Sequence, residues 1–410
     1  MTRNNLDEAI RTVAGLGGPG VVLLAAIAYA SATMGVAGAA AITAALALLG
    51  GPAGMYGGLI ALPVIGVLSA AIASYGLEAI LIAIYEKRIE NSNDENIQEV
   101  CINEIDDIKF LNSSQKTKIK SAIKKEFTIL VIGKTGTGKS STINTLIGQQ
   151  LASTGDSIAV TDSIESYSTT LNSIRIKVLD TPGLCDSLEK SNDQRYLKEI
   201  KSAYQDVDLT FFITVLNESR VSRDEKVALR SLTSELGEKI WKNMIIIFTF
   251  ANSELPGEAE YQEFLSGRTK AIQKFIEEIS SEKIATQMPF LAIDNTHKST
   301  PDGKVWLPEL FTLITERVKE SGLFTFLEAM ADDVIEEENS NNSSSNSFDE
   351  EPRINLNNEQ KQRVRKSLRE SIFGPALAGM AGGGLVGGLG GAIAGGLGGT
   401  LFGLWRYLNK

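Results

Sequence analysis

The stretch Gly133-Lys134-Thr135-Gly136-Thr137-Gly138-Lys139-Ser140 restricts the fold of this chain more than any other. Before it, Phe127-Thr128-Ile129-Leu130-Val131-Ile132 is apolar and β-branched and reads as a buried strand. After it, Ser141-Thr142-Ile143-Asn144-Thr145-Leu146-Ile147 reads as the opening of a helix. A strand that feeds a glycine turn and then a helix N-terminus brings backbone N–H groups and the positive end of a helix dipole to one point. An anion satisfies both. The spacing G-x-x-x-x-G-K-[ST] adds an ammonium and a hydroxyl. Lys139 would reach the β- and γ-phosphates of a nucleoside triphosphate, Ser140 would ligate Mg²⁺, and Ser141 continues the cradle into the helix. An accidental glycine-rich turn gives this pattern in roughly one or two per cent of chains of this length, and the flanking strand and helix lower that further.

Bulk properties exclude several classes. The chain has 410 residues, room for two or three domains, and its net charge of −10 argues against nucleic acid as a partner. Cys101 and Cys185 are the 2 cysteines and His297 the 1 histidine. That leaves no disulfide framework, no His-based metal site and no Ser-His triad, and it fits a reducing compartment.

The charges are segregated along the chain. No charged residue occurs from Thr12 to Leu77, nor from Ser371 to Trp405. Charge-free runs of about eighteen residues or more read as membrane-helix candidates. Gly17-Gly18-Pro19-Gly20 and Gly50-Gly51-Pro52 divide the first block into apolar segments Val21–Leu49 and Met55–Tyr85. Gly35, Gly38 and Pro63 also allow a shorter three-helix hairpin. Asp7 and Glu8 do not fit a signal-peptide n-region. In the second block every fourth residue from Gly379 to Gly403 is glycine. Such a stripe lets helices approach closely in lipid, whereas in water it costs helix stability. Lys87 and Arg88 follow the first block, and Lys361, Arg363, Arg365, Lys366 and Arg369 precede the second, so both flanks of the central region are expected on the cytoplasmic side. A single crossing and a re-entrant hairpin both fit the C-terminal end.

Between these ends apolar and amphipathic runs alternate. Ile174–Leu179, Leu209–Leu216, Met244–Phe250 and Phe290–Ile293 read as strands; Arg223–Leu236, Tyr261–Ile279 and Leu307–Val318 read as helices. The alternation predicts an α/β fold with a mainly parallel sheet and helices on both faces. Asp180-Thr181-Pro182-Gly183 ends one strand. Its carboxylate would serve the Mg²⁺ shell and the Gly183 N–H the γ-phosphate.

Together these motifs resemble the septin-related GTPases of the AIG1/Toc type, which include immunity-associated nucleotide-binding proteins and chloroplast-envelope import receptors. The matching residues are G-K-T-G-T-G-K-S-S-T-I-N from Gly133, Val160-Thr161, D-T-P-G-L-C-D from Asp180, and Asn217-Glu218-Ser219-Arg220-Val221-Ser222. Phe248-Thr249-Phe250-Ala251-Asn252, Ile293-Asp294-Asn295 and Trp306-Leu307-Pro308 complete them, over about residues 125–320. The resemblance implies a P-loop G domain that binds GTP or GDP with Mg²⁺, a homodimer or higher oligomer through that domain, and residence on a lipid membrane. It makes Thr161 the switch threonine on Mg²⁺ and the γ-phosphate, Asp180 and Gly183 the second switch, and Arg220 part of the family's extra box. Lys139, Thr161, Gly183 and Arg220 thereby take the catalytic roles.

Two departures bear on chemistry. Asn252 stands where an Asp commonly reads guanine N1 and N2, and its NH₂ would repel the guanine amino group. Asp294-Asn295 fits the acidic-Asn pair of the import-receptor branch, so Asp294 is the candidate guanine acceptor, and Phe250 stands where that branch has a base-stacking histidine. Leu184 stands where many GTPases have a water-orienting Gln, which predicts slow intrinsic hydrolysis. Arg220 or Arg223 supplied across a dimer would compensate; a solvated loop charge is the equal alternative for both.

The expected segments are a hydrophobic membrane-helix region at 1–88, a polar helical connector at 89–125, the G domain at 126–322, a helix with an acidic Asn/Ser-rich tether at 323–370, and a glycine-zipper helix at 371–410. The expected function is a membrane-anchored, slow GTPase acting as a dimerisation switch. Two alternatives stand beside it: a nucleotide-gated pore or remodelling effector, and a GTP-bound scaffold without turnover.

Overall fold

The computed structural model describes residues 3–15, 20–21, 64, 66–70, 72, 77–92, 94, 96–151, 165–181, 190–218, 220–253, 257–334, 353–373, 404 and 407–409. The chain divides into two compact units. The first comprises 1–125, 320–346 and 365–410, and the second 126–319 and 347–364.

The first unit is helical in its described residues: α1 (Arg3–Ala14), α2 (Leu77–Glu90), α3 (Ile97–Asp107) and α4 (Ser113–Lys124). The expected connector at 89–125 thus contains two helices. Asn112 opens α4, its side chain accepting from the Gln115 N–H while the Gln115 side chain accepts from the Asn112 N–H. Lys125, left-handed at φ 49°, ends it and hands the chain to the second unit. Arg88 on α2 grips Glu104 on α3 through both carboxylate oxygens, one bond measuring 2.9 Å. Among the described residues no helix is long and apolar enough to cross a membrane. The segment Val21–Leu49, the glycine stripe and the acidic tether lie almost wholly outside the described residues, as does about half of Met55–Tyr85.

The second unit holds β1 (Glu126–Ile132), α5 (Lys139–Ile147), β2 (Glu165–Leu171), β3 (Ile174–Thr181), α6 (Lys190–Ala203), β4 (Leu209–Val215), α7 (Arg223–Leu236), β5 (Met244–Thr249), α8 (Glu258–Ile279), α9 (Glu282–Gln287), β6 (Phe290–Ala292) and α10 (Trp306–Arg317). The six-stranded sheet runs β2-β3-β1-β4-β5-β6; β2 is antiparallel to β3 and every other pair is parallel. Parallel central strands are covered on both faces, which is why β1, β4 and β5 read as unbroken apolar runs. Leu130 and Ile132 face a core shared with Phe212, Leu229, Ile246, Phe248, Ile272 and Phe275. Phe127, Ile129 and Val131, alternate in the strand, are buried on the other face. The sequence reading did not anticipate β2. It is an edge strand, joined to β3 through Asn172 and Ser173 at φ 48° and 64°, a two-residue hairpin turn with both centres left-handed.

After α10 the chain enters the first unit as α11 (Leu323–Ala329) and α12 (Ala331–Val334), and from residue 353 to 364 it packs again on the second. Ile354 and Leu356 are buried there. Asn357 and Gln360 form a reciprocal cap at the start of α13 (Asn358–Phe373). Arg363 is held by Glu309 at 2.7 Å and by Glu316 through a fork of two 2.8 Å bonds, both carboxylates on α10. At the other end Arg353 donates to the carbonyls of Thr145 at 2.6 Å and Leu146 at 3.3 Å, in the last turn of α5. Those carbonyls lie at the negative end of the helix, where a cation is favoured.

Candidate functional site

Parallel pairing brings the carboxyl ends of β1, β3, β4, β5 and β6 to one edge. Ile132 pairs with Thr181, Val215 with Thr249, and Phe248 with Ala292. The strand order reverses around β1, and ligands in such sheets sit outside that edge. The glycine loop leaves β1 at this point. Gly133 passes so near β4 that a Cβ there would lie 2.3 Å from the Ile213 carbonyl oxygen, so no larger residue fits without moving the strands. Gly136 at φ 79° and Gly138 at φ 84° supply the left-handed steps that turn the loop into α5.

Hydrogen bonds fix the loop from within and from the sheet. Thr137 Oγ1 donates to the Lys134 carbonyl at 2.8 Å, and Thr249 Oγ1, at the end of β5, donates to the Thr137 carbonyl at 2.7 Å. Lys139 is buried; its Nζ donates to the Gly133 and Lys134 carbonyls at 3.1 Å each and lies 3.9 Å from Asp180 Oδ1. Ser140 and Ser141 occupy the first turn of α5 beside it. The Lys134 side chain turns outward to Asp224 on α7 at 3.3 Å. Thr135 and Gly136 are exposed at the tip, so the loop presents an ammonium, a hydroxyl and backbone N–H groups.

Asp180, near the end of β3, lies beside Lys139. Burial pushes its carboxyl above the usual range and nearby Lys139 opposes this; Oδ1 is buried with no hydrogen-bond partner among the described residues. A hydroxyl and one orphaned carboxylate oxygen beside a phosphate cradle are hard oxygen donors of the kind Mg²⁺ takes. Among the described residues there is no cluster of three His, Cys, Asp or Glu that would hold a metal by itself. Thr161 and Gly183, the other two switch residues expected from sequence, lie outside the described residues, as do Leu184 and Cys185.

Two loops form the remaining side. Phe250, straight after β5, sits at φ 58° and is 39% exposed. A bulky residue held left-handed with its ring in solvent is strained, and such strain concentrates at ligand sites. Asn252 Nδ2 donates to the Ser299 carbonyl at 3.0 Å, which directs its amide into the neighbouring loop. Asp294 is 3% exposed. Its Oδ2 accepts from Asn252 N at 2.9 Å; its Oδ1 takes Thr296 N at 2.9 Å, Thr296 Oγ1 at 2.6 Å and His297 Nδ1 at 3.1 Å. Burial raises its carboxyl, but the bonds from Thr296, Asn252 and His297 outweigh that and hold it below its ordinary value. Asp294 therefore ties the two loops together. Asn295 donates through Nδ2 to Thr142 Oγ1 on α5 at 3.1 Å, while its Oδ1 is buried without a partner among the described residues. This is the site's second orphaned acceptor. A cavity of about 720 Å³ adjoins Asn295, Thr296 and His297 and is bounded by Asn144, Gly148 and Arg353. It falls in the size range of small-molecule sites.

Arg220 is exposed on the loop after β4, and Arg223 is exposed at the start of α7. Beneath that loop is a buried charge the sequence reading did not find. Arg268 on α8 has no exposed side-chain surface and is paired with Glu225 at 2.6 Å. Its signal in the sequence was position: it falls on the apolar stripe Tyr261, Leu265, Ile272 and Ile276. Arg353 was missed as well, because two apolar residues in a polar segment carry no periodicity.

A sequence profile of the AIG1 family matches residues 127–346, more than half of the chain. The chain is 31% identical over 203 residues to Translocase of chloroplast 34 of Pisum sativum, which covers 46% of this chain and 65% of that protein. It is 28% identical over 212 residues to Translocase of chloroplast 33 of Arabidopsis thaliana, covering 48% and 71%. A solved structure of Arabidopsis Toc33 in complex with Mg²⁺ and GMPPNP is 25% identical, covering 52% of this chain and 93% of that one, with a TM-score of 0.40.

Proposed function

Since the chain belongs to the AIG1 family, we propose that its second unit is a Mg²⁺-dependent GTP-binding switch that hydrolyses GTP slowly and self-associates when loaded. The observation that carries this reading is the cradle at the sheet edge. Gly133 is pressed against β4, Thr249 pins the loop, and Lys139 stands 3.9 Å from an orphaned Asp180 oxygen. An ammonium bonded to loop carbonyls is poised to exchange them for phosphate oxygens. Ser140 and Asp180 would hold Mg²⁺, which when bound neutralises phosphate charge. The exposed Phe250 ring would stack on the base, and the Asp294-Asn295 loop would read its edge through Asn295 Oδ1, which has no partner among the described residues, in place of the expected Asp294, whose two oxygens already accept from Asn252, Thr296 and His297. Thr161 and Gly183 would close on the γ-phosphate. Arg220 would act across the interface between two loaded copies. The charge-free ends support a membrane location, with the second unit on the cytoplasmic side.

Phosphate release from GTP by the full chain, followed over a hundredfold range of protein concentration, tests this. The specific rate should rise with concentration, and Lys139→Ala should abolish both binding and release. A specific rate independent of dilution at every concentration would remove the self-association claim. Release unaffected by Lys139→Ala would remove the assignment of the cradle.

A further inference from the structure

The buried Arg268–Glu225 pair lies outside the phosphate cradle, yet both Nη groups of Arg268 are bonded, and only its Nε has no hydrogen-bond partner among the described residues. Arg268 Nη2 donates to Glu225 Oε1 at 2.6 Å, to Thr214 Oγ1 at the end of β4 at 2.9 Å, and to Glu218 Oε2 at 3.4 Å. Its Nη1 donates to the carbonyl of Arg220 itself at 2.5 Å. Glu225 is the third residue of α7; its Oε2 accepts from Ser222 N at 2.7 Å and its N–H donates to Ser222 Oγ at 3.3 Å. One guanidinium thus holds the loop 217–222 at its start through Glu218, in its middle through the Arg220 carbonyl, and at its end through Glu225 and the Ser222 cap. The neighbouring α7 residue, Asp224, is the partner of Lys134 in the phosphate loop.

A buried ion pair in a core rarely adds more stability than apolar residues of the same shape, so its geometry is the informative property. Here the planar fork grips a backbone carbonyl and a helix cap that flank one exposed arginine. We propose that Arg268 is a positioning residue: it presents Arg220 to a second copy of the chain, and through α7 it sets the loop in register with the phosphate cradle. This inference rests on the role given to Arg220 under the proposed function. Only a planar, two-pronged donor reaches the Arg220 carbonyl and Glu225 together, so Lys does not replace it.

The test compares the full-length protein with Arg268→Lys, Glu218→Gln and Arg220→Ala. It reads the protein concentration at half-maximal stimulation of GTP turnover, the affinity for a fluorescent GTP analogue, and thermal unfolding. Arg268→Lys is expected to raise the half-maximal concentration about tenfold with nucleotide affinity changed less than twofold. Glu218→Gln, on a partly exposed partner, should shift it in the same direction by about threefold and keeps the test open if Arg268→Lys does not fold. If Arg220→Ala abolishes the concentration dependence but neither of the other variants shifts it, the positioning role is wrong. Equal losses in nucleotide affinity and self-association would show a merely structural pair and would also overturn it. No effect of Arg220→Ala would instead overturn the underlying reading of Arg220.

Discussion

Asp208 shows how a single buried group ties this sheet to pH. It precedes β4, and its Oδ2 accepts from the Thr128 N–H of β1 at 2.9 Å. Burial pushes its carboxyl up to about 6, with the Thr128 bond and Lys319 opposing. The folded-state value lies above the unfolded one, so its contribution to stability is complete below the unfolded value and is lost as pH rises through about 6. Asp208→Asn keeps an acceptor for Thr128 and removes the charge. The variant should unfold with a weaker pH dependence between pH 5 and 8, and at pH 8 should exceed the parent by at most about 3 kcal/mol, less whatever Lys319 loses. Denaturant unfolding at pH 5 and pH 8 measures this. A variant less stable than the parent at pH 8 would show that the ionised carboxylate is needed as such. The same scale separates the two orphaned acceptors. Asp180 Oδ1 and Asn295 Oδ1 are buried without a hydrogen-bond partner among the described residues, and a buried acceptor left unpaired costs free energy.

At the scale of elements, the strap from residue 353 to 364 binds the helix that follows the phosphate loop. Gly148 ends α5 at φ 78°, and a Cβ there would lie 2.1 Å from Arg353 Nη1. Gly148→Ala therefore strains the backbone and displaces the guanidinium from the Thr145 and Leu146 carbonyls. A cost of about 1–2 kcal/mol is expected, and Arg353→Ala on top of it should add little, because the first change has already broken the contact. A double-mutant cycle read by unfolding checks this; full additivity would mean that Arg353 does not depend on the bare glycine. These elements also show what was legible in the sequence. β1, β4 and β5 were read correctly because strands buried on both faces are continuous apolar runs, and the glycine loop because its spacing is chemical. β2 was missed because Glu-Ser-Tyr-Ser-Thr-Thr-Leu is a mostly polar edge strand that alternates between half-buried and exposed with no fully buried position; the signal was Asn172-Ser173 between it and the next apolar run. The contacts of the strap and the partners of Arg268 leave no trace in the sequence for another reason. The residues that meet are far apart along the chain, and no local period records a contact between residues 145 and 353 or 220 and 268.

At the scale of the whole chain, a sheet-edge phosphate cradle is joined in sequence to charge-free ends that fall largely outside the described residues. Basic residues flank both ends, and Arg363 fastens α13 to α10 in the second unit just before the glycine-rich run begins. All of this depends on guanine being the base that is read. Displacement of a fluorescent GTP analogue from the full-length protein by GTP, ATP and XTP, in the presence of Mg²⁺, tests that most directly. Displacement by GTP at concentrations at least tenfold lower than by ATP or XTP is expected. Equal displacement by ATP would contradict guanine reading by the Asp294-Asn295 loop, and failure of all three to displace would contradict the cradle itself.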